Sequence, residues 1–211
     1  MRAAGILVLC VFSSILSTVT SLKCLSCVAV GTECGEEKEV ECKENEEVCS
    51  IIAVNTTITN ASVSLIIKEC LKPDDCIDGL FSSTTVDGRF EVARVTCCKT
   101  DACNVGSLLL EAHETLKPNG LKCPGCFALD EDHCEANQPV NCVGEEDQCL
   151  TITTSTQAFG NFTEKSTYQG CTIKKSCSYP LGYSEVANGL INFNVTTLEC
   201  KDASPPEPEH Q

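Results

Sequence analysis

The chain contains no tryptophan, one methionine and few aromatic residues, three Tyr and seven Phe among 211 residues. Large apolar side chains supply most of a small domain's core, so a core this poor in them needs another source of stability. Basic residues are also scarce. Fifteen Lys and Arg stand against thirty Asp and Glu, for a formal charge of −15. Phosphate backbones and anionic headgroups are held by basic faces, so neither a nucleic-acid partner nor an anionic membrane surface is expected. The three histidines, His113, His133 and His210, share no repeated context and no metal-ligand spacing, and read as solvated loop residues. A Gly-x-Ser-x-Gly nucleophile elbow is missing. The C-terminus, KDASPPEPEHQ, is polar and proline-rich, so neither a lipid anchor nor a transmembrane stop is expected there. No enzyme activity and no cofactor are expected.

What the chain has is cysteine: 19 of them. From Leu22 to Cys49 the sequence reads LKCLSCVAVGTECGEEKEVECKENEEVC, and it returns from Leu121 as LKCPGCFALDEDHCEANQPVNCVGEEDQC. Cysteines 24, 27, 34, 42 and 49 are separated by two, six, seven and six residues; cysteines 123, 126, 134, 142 and 149 by two, seven, seven and six. The match continues through Cys70, Cys76 and Cys97 in the first copy and Cys171, Cys177 and Cys200 in the second. The residues between differ while the spacing holds, which marks a tandem repeat built on its cysteines. The first copy adds Cys98 and Cys103, which have no counterpart.

Residues 1–21 read as a secretory signal. Arg2 is the positive start, Ala3 to Leu16 is largely apolar, and Val19 and Ser21 are small residues before a cut ahead of Leu22. A membrane anchor is the competing reading, but the run is short and broken by Ser13, Ser14 and Ser17. Removing the segment takes Cys10 with it and leaves 18 cysteines, an even number that suits full oxidation outside the cytosol. The mature charge becomes −16 with the loss of Arg2.

Along the mature chain the apolar pattern is that of paired strands. Ser50 to Glu69 reads as a hairpin, with Ile51, Ile52 and Val54 on one arm and Val63, Leu65 and Ile67 on the other. Ile77 to Thr96 is a second, turning at Asp87-Gly88, where both positions tolerate positive φ. Leu150 to Gly170 and Ser178 to Glu199 repeat the plan, the latter turning at Asn188-Gly189. Ile191, Phe193 and Val195 alternate with Asn192, Asn194 and Thr196, as in a half-buried strand. Residues 105–120 carry no cysteine and form a linker, in which Leu108 to Leu110 could make one helical turn or dock on a domain.

Two Leu-x-Cys-x-x-Cys starts, two long hairpins per unit and the ending Cys97-Cys98-x4-Cys103-Asn104 resemble the three-finger family of lymphocyte-antigen-six and urokinase-receptor proteins. The resemblance implies an all-β chain of two tandem disulfide-rich three-finger domains, at 22–104 and 121–202, followed by a polar tail at 203–211. It implies the bridges Cys24 with Cys49, Cys27 with Cys34, Cys42 with Cys70, Cys76 with Cys97 and Cys98 with Cys103. In the second domain it implies Cys123 with Cys149, Cys126 with Cys134, Cys142 with Cys171 and Cys177 with Cys200. Spacing alone does not choose among the hundreds of pairings that ten cysteines permit. Each bridge stabilises by roughly 2–4 kcal/mol. The second domain lacks the last small bridged loop, so its final strand is expected to be less firmly held. Two units, an acidic first finger and the abbreviated second ending are most similar to the gamma-type phospholipase A2 inhibitors of blood plasma.

The Cys-x-x-Cys pairs at Cys24 and Cys123 admit a redox or zinc reading, but the repeat and the export signal favour a structural knot. Catalysis of the phospholipase kind would need a histidine where Cys97-Cys98-Lys99-Thr100-Asp101 has Thr100. Acidic residues are the candidate binding feature. Glu36, Glu37, Glu39, Glu41, Glu44, Glu46 and Glu47 crowd one segment, beside Glu33. Asp130, Glu131, Asp132 and Glu135, with Glu145, Glu146 and Asp147, occupy the matching part of the second repeat. A negative surface of this kind steers a basic protein partner; the competing readings are solubilising charge and calcium, whose EF-hand spacing is not met. Sequons for N-glycosylation occur at Asn55, Asn60, Asn161 and Asn194, the first three near hairpin tips and the last on the polar face of its strand. A partner is therefore expected on a sheet face, the first finger or the groove between domains. The expected function is a secreted binding protein that occludes secreted phospholipase A2, with homo- or hetero-oligomerisation implied by the resemblance. The alternative is an extracellular signalling ligand or pheromone-like factor acting on a cell-surface receptor.

Overall fold

The computed structural model describes residues 21–59 and 62–205. The signal-like segment up to residue 20, the sequon at Asn60, His210 and the end of the tail lie outside the described residues.

Twelve β-strands account for both repeats, and the described residues contain no α-helix. In the first repeat β1 (Lys23–Val30) and β2 (Lys38–Glu41) form the first finger. The second finger is β3 (Val48–Thr56) with β4 (Val63–Leu71), and the third is β5 (Gly79–Thr85) with β6 (Phe90–Cys98). Strand β4 also pairs with β1, and β3 with β6, so three hairpins share one antiparallel sheet. The second repeat uses β7 (Pro118–Leu129), β8 (Gln138–Val143), β9 (Gln148–Ala158), β10 (Phe162–Thr172), β11 (Gly182–Val186) and β12 (Ile191–Asp202) in the same pairing plan. Both third fingers turn where the sequence supplies left-handed residues: Asp87 and Gly88 have φ of 59° and 68°, Asn188 and Gly189 of 52° and 81°.

At the base of each repeat the half-cystines form a buried knot. The bridges Cys24–Cys49 and Cys42–Cys70 lie against each other, with Cys24 Sγ 3.2 Å from Cys42 Sγ. Cys123–Cys149 and Cys142–Cys171 repeat the arrangement at 3.6 Å. Cys27–Cys34, Cys76–Cys97, Cys98–Cys103, Cys126–Cys134 and Cys177–Cys200 make up the set.

The two repeats are joined by more than the linker. The outer edge of β10 is shared. Residues 166–169 pair with β7, and residues 170–172 pair with β5 of the first repeat. The register Gly170↔Thr85, Cys171↔Thr84, Thr172↔Ser83 makes one continuous sheet of the two domains. Gly170 is required there, because a Cβ would run into the Thr84 carbonyl oxygen and lie 2.9 Å from Thr85 Cα. Apolar contacts cross the join in both directions. Ala158, Ala187 and Ile191, from the second repeat's fingertips, pack with Ile52, Ile67 and Leu71 on the first repeat's sheet. Ile58, from the first repeat's second fingertip, packs with Leu150 and Tyr168 on the second repeat's sheet. Arg89 adds its guanidinium over the Phe127 ring, 4.3 Å from the centroid.

The two endings solve one problem in different ways. In the first repeat Asp101 Oδ1 accepts from Lys23 N at 2.9 Å, and buried Asn104 accepts from Leu25 N and donates to the carbonyls of Leu25 and Ser50. In the second repeat the residue matching Leu25 is Pro124, which has no N–H to satisfy. Lys122 N instead donates to the Ser204 carbonyl at 2.9 Å, and Ala203 N to that of Asp147. Strand β12 stays paired with β9 to Asp202. The final strand is thus fastened by its own backbone, contrary to the looser ending expected from the missing bridge.

In the linker, one of the two expectations for Leu108 to Leu110, the helical turn, is not met. Residues 108–110 form no helical turn, and Leu109 is exposed. The helical turn lies at His113–Thr115. His113 is not a solvated loop residue: it stacks on Phe90, with ring centroids 4.1 Å apart, and its Nε2 is 2.8 Å from Thr84 Oγ1.

Candidate partner-binding surface

The acidic segment of the first repeat runs along β2 and the turn into β3. Glu36, Glu39, Glu41, Glu44 and Glu47 are exposed there. Glu39 lies 3.5 Å from Lys23, with both side chains about half exposed, a geometry worth little once solvent screens it. The remaining two are not surface charges held in reserve. Glu37 Oε1 accepts from Lys68 Nζ at 2.6 Å, and that lysine is fully buried. A buried ammonium needs a counter-charge, so Glu37 is committed to the fold. Glu46 turns back on its own loop: Oε2 accepts from Lys43 N at 2.8 Å. Of seven candidate residues, five form the open ribbon and two hold the finger that carries it.

The second repeat divides in the same way. Asp130, Glu131, Asp132 and Glu135 are exposed at the first finger, where Asp132 pairs with Lys165. Glu145 and Asp147 are exposed, but Glu146 between them is buried. Its Oε1 accepts from Ser82 Oγ and Thr84 Oγ1, each at 2.8 Å, and its Oε2 accepts from Val143 N at 3.1 Å. Two of the three donors belong to the first repeat, so Glu146 is a clasp between domains. Burial pushes its pKa up, against the lowering effect of those three donors. Glu69 is the second buried carboxylate at the join. Its Oε2 accepts from Asn188 N at 3.1 Å, and burial again raises its pKa. Burial lowers the pKa of His113, while Glu114 opposes that shift.

The sulfurs of Cys24, Cys42 and Cys70, and of Cys123, Cys142 and Cys171, converge closely enough to suggest a metal site. Each is already bonded to another sulfur, so none offers a thiolate. The sequons differ in setting. Asn55 lies within β3, half-buried and paired with Ser64 and Val92, not at a free tip. Asn161 is exposed in the loop between β9 and β10, and Asn194 is exposed on β12.

The chain matches the family model of the u-PAR/Ly-6 domain twice, over residues 20–106 and 119–204. It is 30% identical to the phospholipase A2 inhibitor NAI of Notechis ater over 82% of this chain and 85% of the relative. It is likewise 30% identical to a gamma-type phospholipase A2 inhibitor polypeptide of Elaphe quadrivirgata, over 93% and 94%. The urokinase plasminogen activator surface receptor of Bos taurus is 26% identical over 90% of this chain and 56% of the receptor.

Proposed function

Since the chain belongs to the u-PAR/Ly-6 domain family, as a tandem pair of three-finger domains and a binding protein rather than an enzyme, we propose that it is a secreted inhibitor of secreted phospholipase A2. It acts by covering the enzyme's lipid-facing surface, and it carries out no chemistry of its own. The domains of this reading are 22–104 and 121–202, released from a signal at 1–21. The observation that carries the reading is the ribbon of exposed Glu36, Glu39, Glu41, Glu44 and Glu47 on the first finger. Opposite charge concentrates a basic partner near its docking surface and raises the association rate by about 10–1,000-fold at low salt. Oligomers, of like or unlike chains, would multiply the ribbons presented.

The test is inhibition of a panel of basic and acidic secreted phospholipases A2 by the oxidised protein at about 50 mM salt, where the Debye length exceeds its value of roughly 10 Å at 0.1 M, and at about 300 mM, where it falls well below that value. Saturable inhibition, weaker at high salt for the basic enzymes, is the expected result. Replacing the five exposed glutamates by Gln should slow association with basic enzymes about tenfold and leave the melting temperature unchanged. Absence of binding across the panel would overturn the inhibitor reading and turn attention to a cell-surface receptor as the partner.

A further inference from the structure

The aromatic residues of this chain are few and mostly covered. Phe90 and Tyr168 are buried; Phe81, Phe127, Tyr179 and Phe193 are half-buried. Three rings among the described residues are exposed: Phe159 at 51%, Phe162 at 42% and Tyr183 at 66%. All three are in the second repeat, and each stands beside a sequon asparagine. Phe159 and Phe162 bracket Asn161 in the run Phe159-Gly160-Asn161-Phe162-Thr163. Tyr183 is the direct cross-strand partner of Asn194 in the β11–β12 hairpin.

We infer that Asn161 and Asn194 both carry N-linked glycans, and that the first sugar of each packs on an aromatic ring, Phe159 at the fingertip and Tyr183 on the edge strand. An aromatic face carries partial negative charge, and the flat face of an N-acetylglucosamine ring presents C–H groups to it. Stacking removes apolar area of both partners from water. The local geometry favours each pair. Directly opposed residues in an antiparallel hairpin share a face, with Cβ atoms roughly 4.5–5.5 Å apart, within reach of an asparagine-linked sugar. Tyr183 is oriented there by its hydroxyl, 2.7 Å from Asn192 Oδ1.

At the fingertip Phe159 has φ of 51° and Gly160 of 76°. A positive φ is strained for a bulky residue and persists where something holds it. Here Phe159 N donates to the Leu190 carbonyl at 2.8 Å, which ties two fingertips together and fixes the backbone that carries the ring. Phe162 is less suited, because it pairs with Ala158, whose side chain belongs to the cluster packed on the first repeat. The first repeat has no exposed aromatic among its described residues. Its sequon at Asn55 lies between two strands without a ring beside it. The inference is independent of phospholipase binding. It assigns the exposed rings of Phe159 and Tyr183 to carbohydrate.

The test uses the full chain secreted from a eukaryotic host. Peptide mass spectrometry should find Asn161 and Asn194 modified; an unmodified asparagine at either position overturns the inference for that site. A double-mutant cycle then asks whether sugar and ring are coupled. Asn161→Gln should lower the melting temperature by roughly 2–4 °C when Phe159 is present and by roughly 1 °C or less beside Phe159→Ala; Asn194→Gln and Tyr183→Ala should behave alike. Equal losses with and without the ring refute the contact. A second measurement needs no variant. Trimming each glycan to its first sugar should leave the melting temperature in place, whereas complete removal should lower it. A fall on trimming alone would assign the effect to the outer sugars and overturn the stacking.

Discussion

Replacing Glu146 by Ala should loosen the join between the two repeats more than its place in an acidic run suggests. The carboxylate accepts three hydrogen bonds and is 1% exposed. Each hydrogen bond to a charged group contributes about 1.5–3 kcal/mol, offset by the cost of burying the charge. Removing the carboxylate leaves Ser82 Oγ, Thr84 Oγ1 and Val143 N without this acceptor, and the expected net loss is about 3 kcal/mol. For a chain of this size that is a fall of roughly 6–12 °C in melting temperature. Glu146→Gln keeps the shape and one oxygen, and the two hydroxyls can rotate to suit, so about 1 kcal/mol is expected. Hydrogen exchange should localise the change in Glu146→Ala to the paired segments 83–85 and 170–172. The pH dependence supplies a sign. Burial raises the folded-state pKa of Glu146 above the unfolded value of 4.5. Its contribution is therefore fully present below 4.5 and is lost as pH rises through the folded pKa. Gln does not titrate, so the stability of the wild type relative to Glu146→Gln should improve as pH falls from 8 to 4.5. A Glu146→Ala protein within about 0.5 kcal/mol of wild type, or a pH difference of opposite sign, would refute the clasp.

Two further outcomes can be checked with the same thermal assay. Gly170→Val should separate β5 from β10, because its side chain meets the Thr84 carbonyl; a loss of at least about 2 kcal/mol is expected, and an unchanged melting temperature would show that the strands are not in register. Glu37→Gln leaves the fully buried Lys68 without its counter-charge and should cost about 2–3 kcal/mol, less than for a wholly buried pair because Glu37 is partly exposed, whereas Lys68→Met should be nearly neutral. Equal effects of the two substitutions would refute the assignment of Glu37 to the buried lysine.

The architecture was legible because its signals are local or periodic. Cysteine spacing marked the repeat, alternation marked the strands, and Asp87-Gly88 and Asn188-Gly189 marked the turns of the third fingers. The join between repeats was not legible. Ser82, Ser83, Thr84 and Thr85 read as ordinary strand residues, yet all four are buried against the second repeat. Glu146 looked like its neighbours Glu145 and Asp147, and nothing short-range distinguishes a buried carboxylate from an exposed one. Glu37 and Glu46 are partly exposed, and nothing in the acidic run itself shows that each is already taken by a partner within the fold. Lys68, directly after the apolar run Leu65-Ile66-Ile67 in β4, was the available signal for Glu37. Pro124 in place of Leu25 was a signal left unread: with no N–H at that position, the second ending can dispense with the asparagine of the first.

The pairing of β5 with β10 has a consequence for how the chain is made. Ser83 and Tyr168, which meet across the join, are 85 residues apart. The first repeat therefore emerges during synthesis with a bare strand edge and an uncovered patch at Ile52, Ile67 and Leu71. Both are adhesive, and both stay so until β10 and the second repeat's fingertips exist. Cysteine pairing within the first repeat can precede that moment, but covering the free edge of β5 cannot. Synthesis that stops short of β10 would yield a cross-linked yet sticky half-molecule, one that quality control should retain.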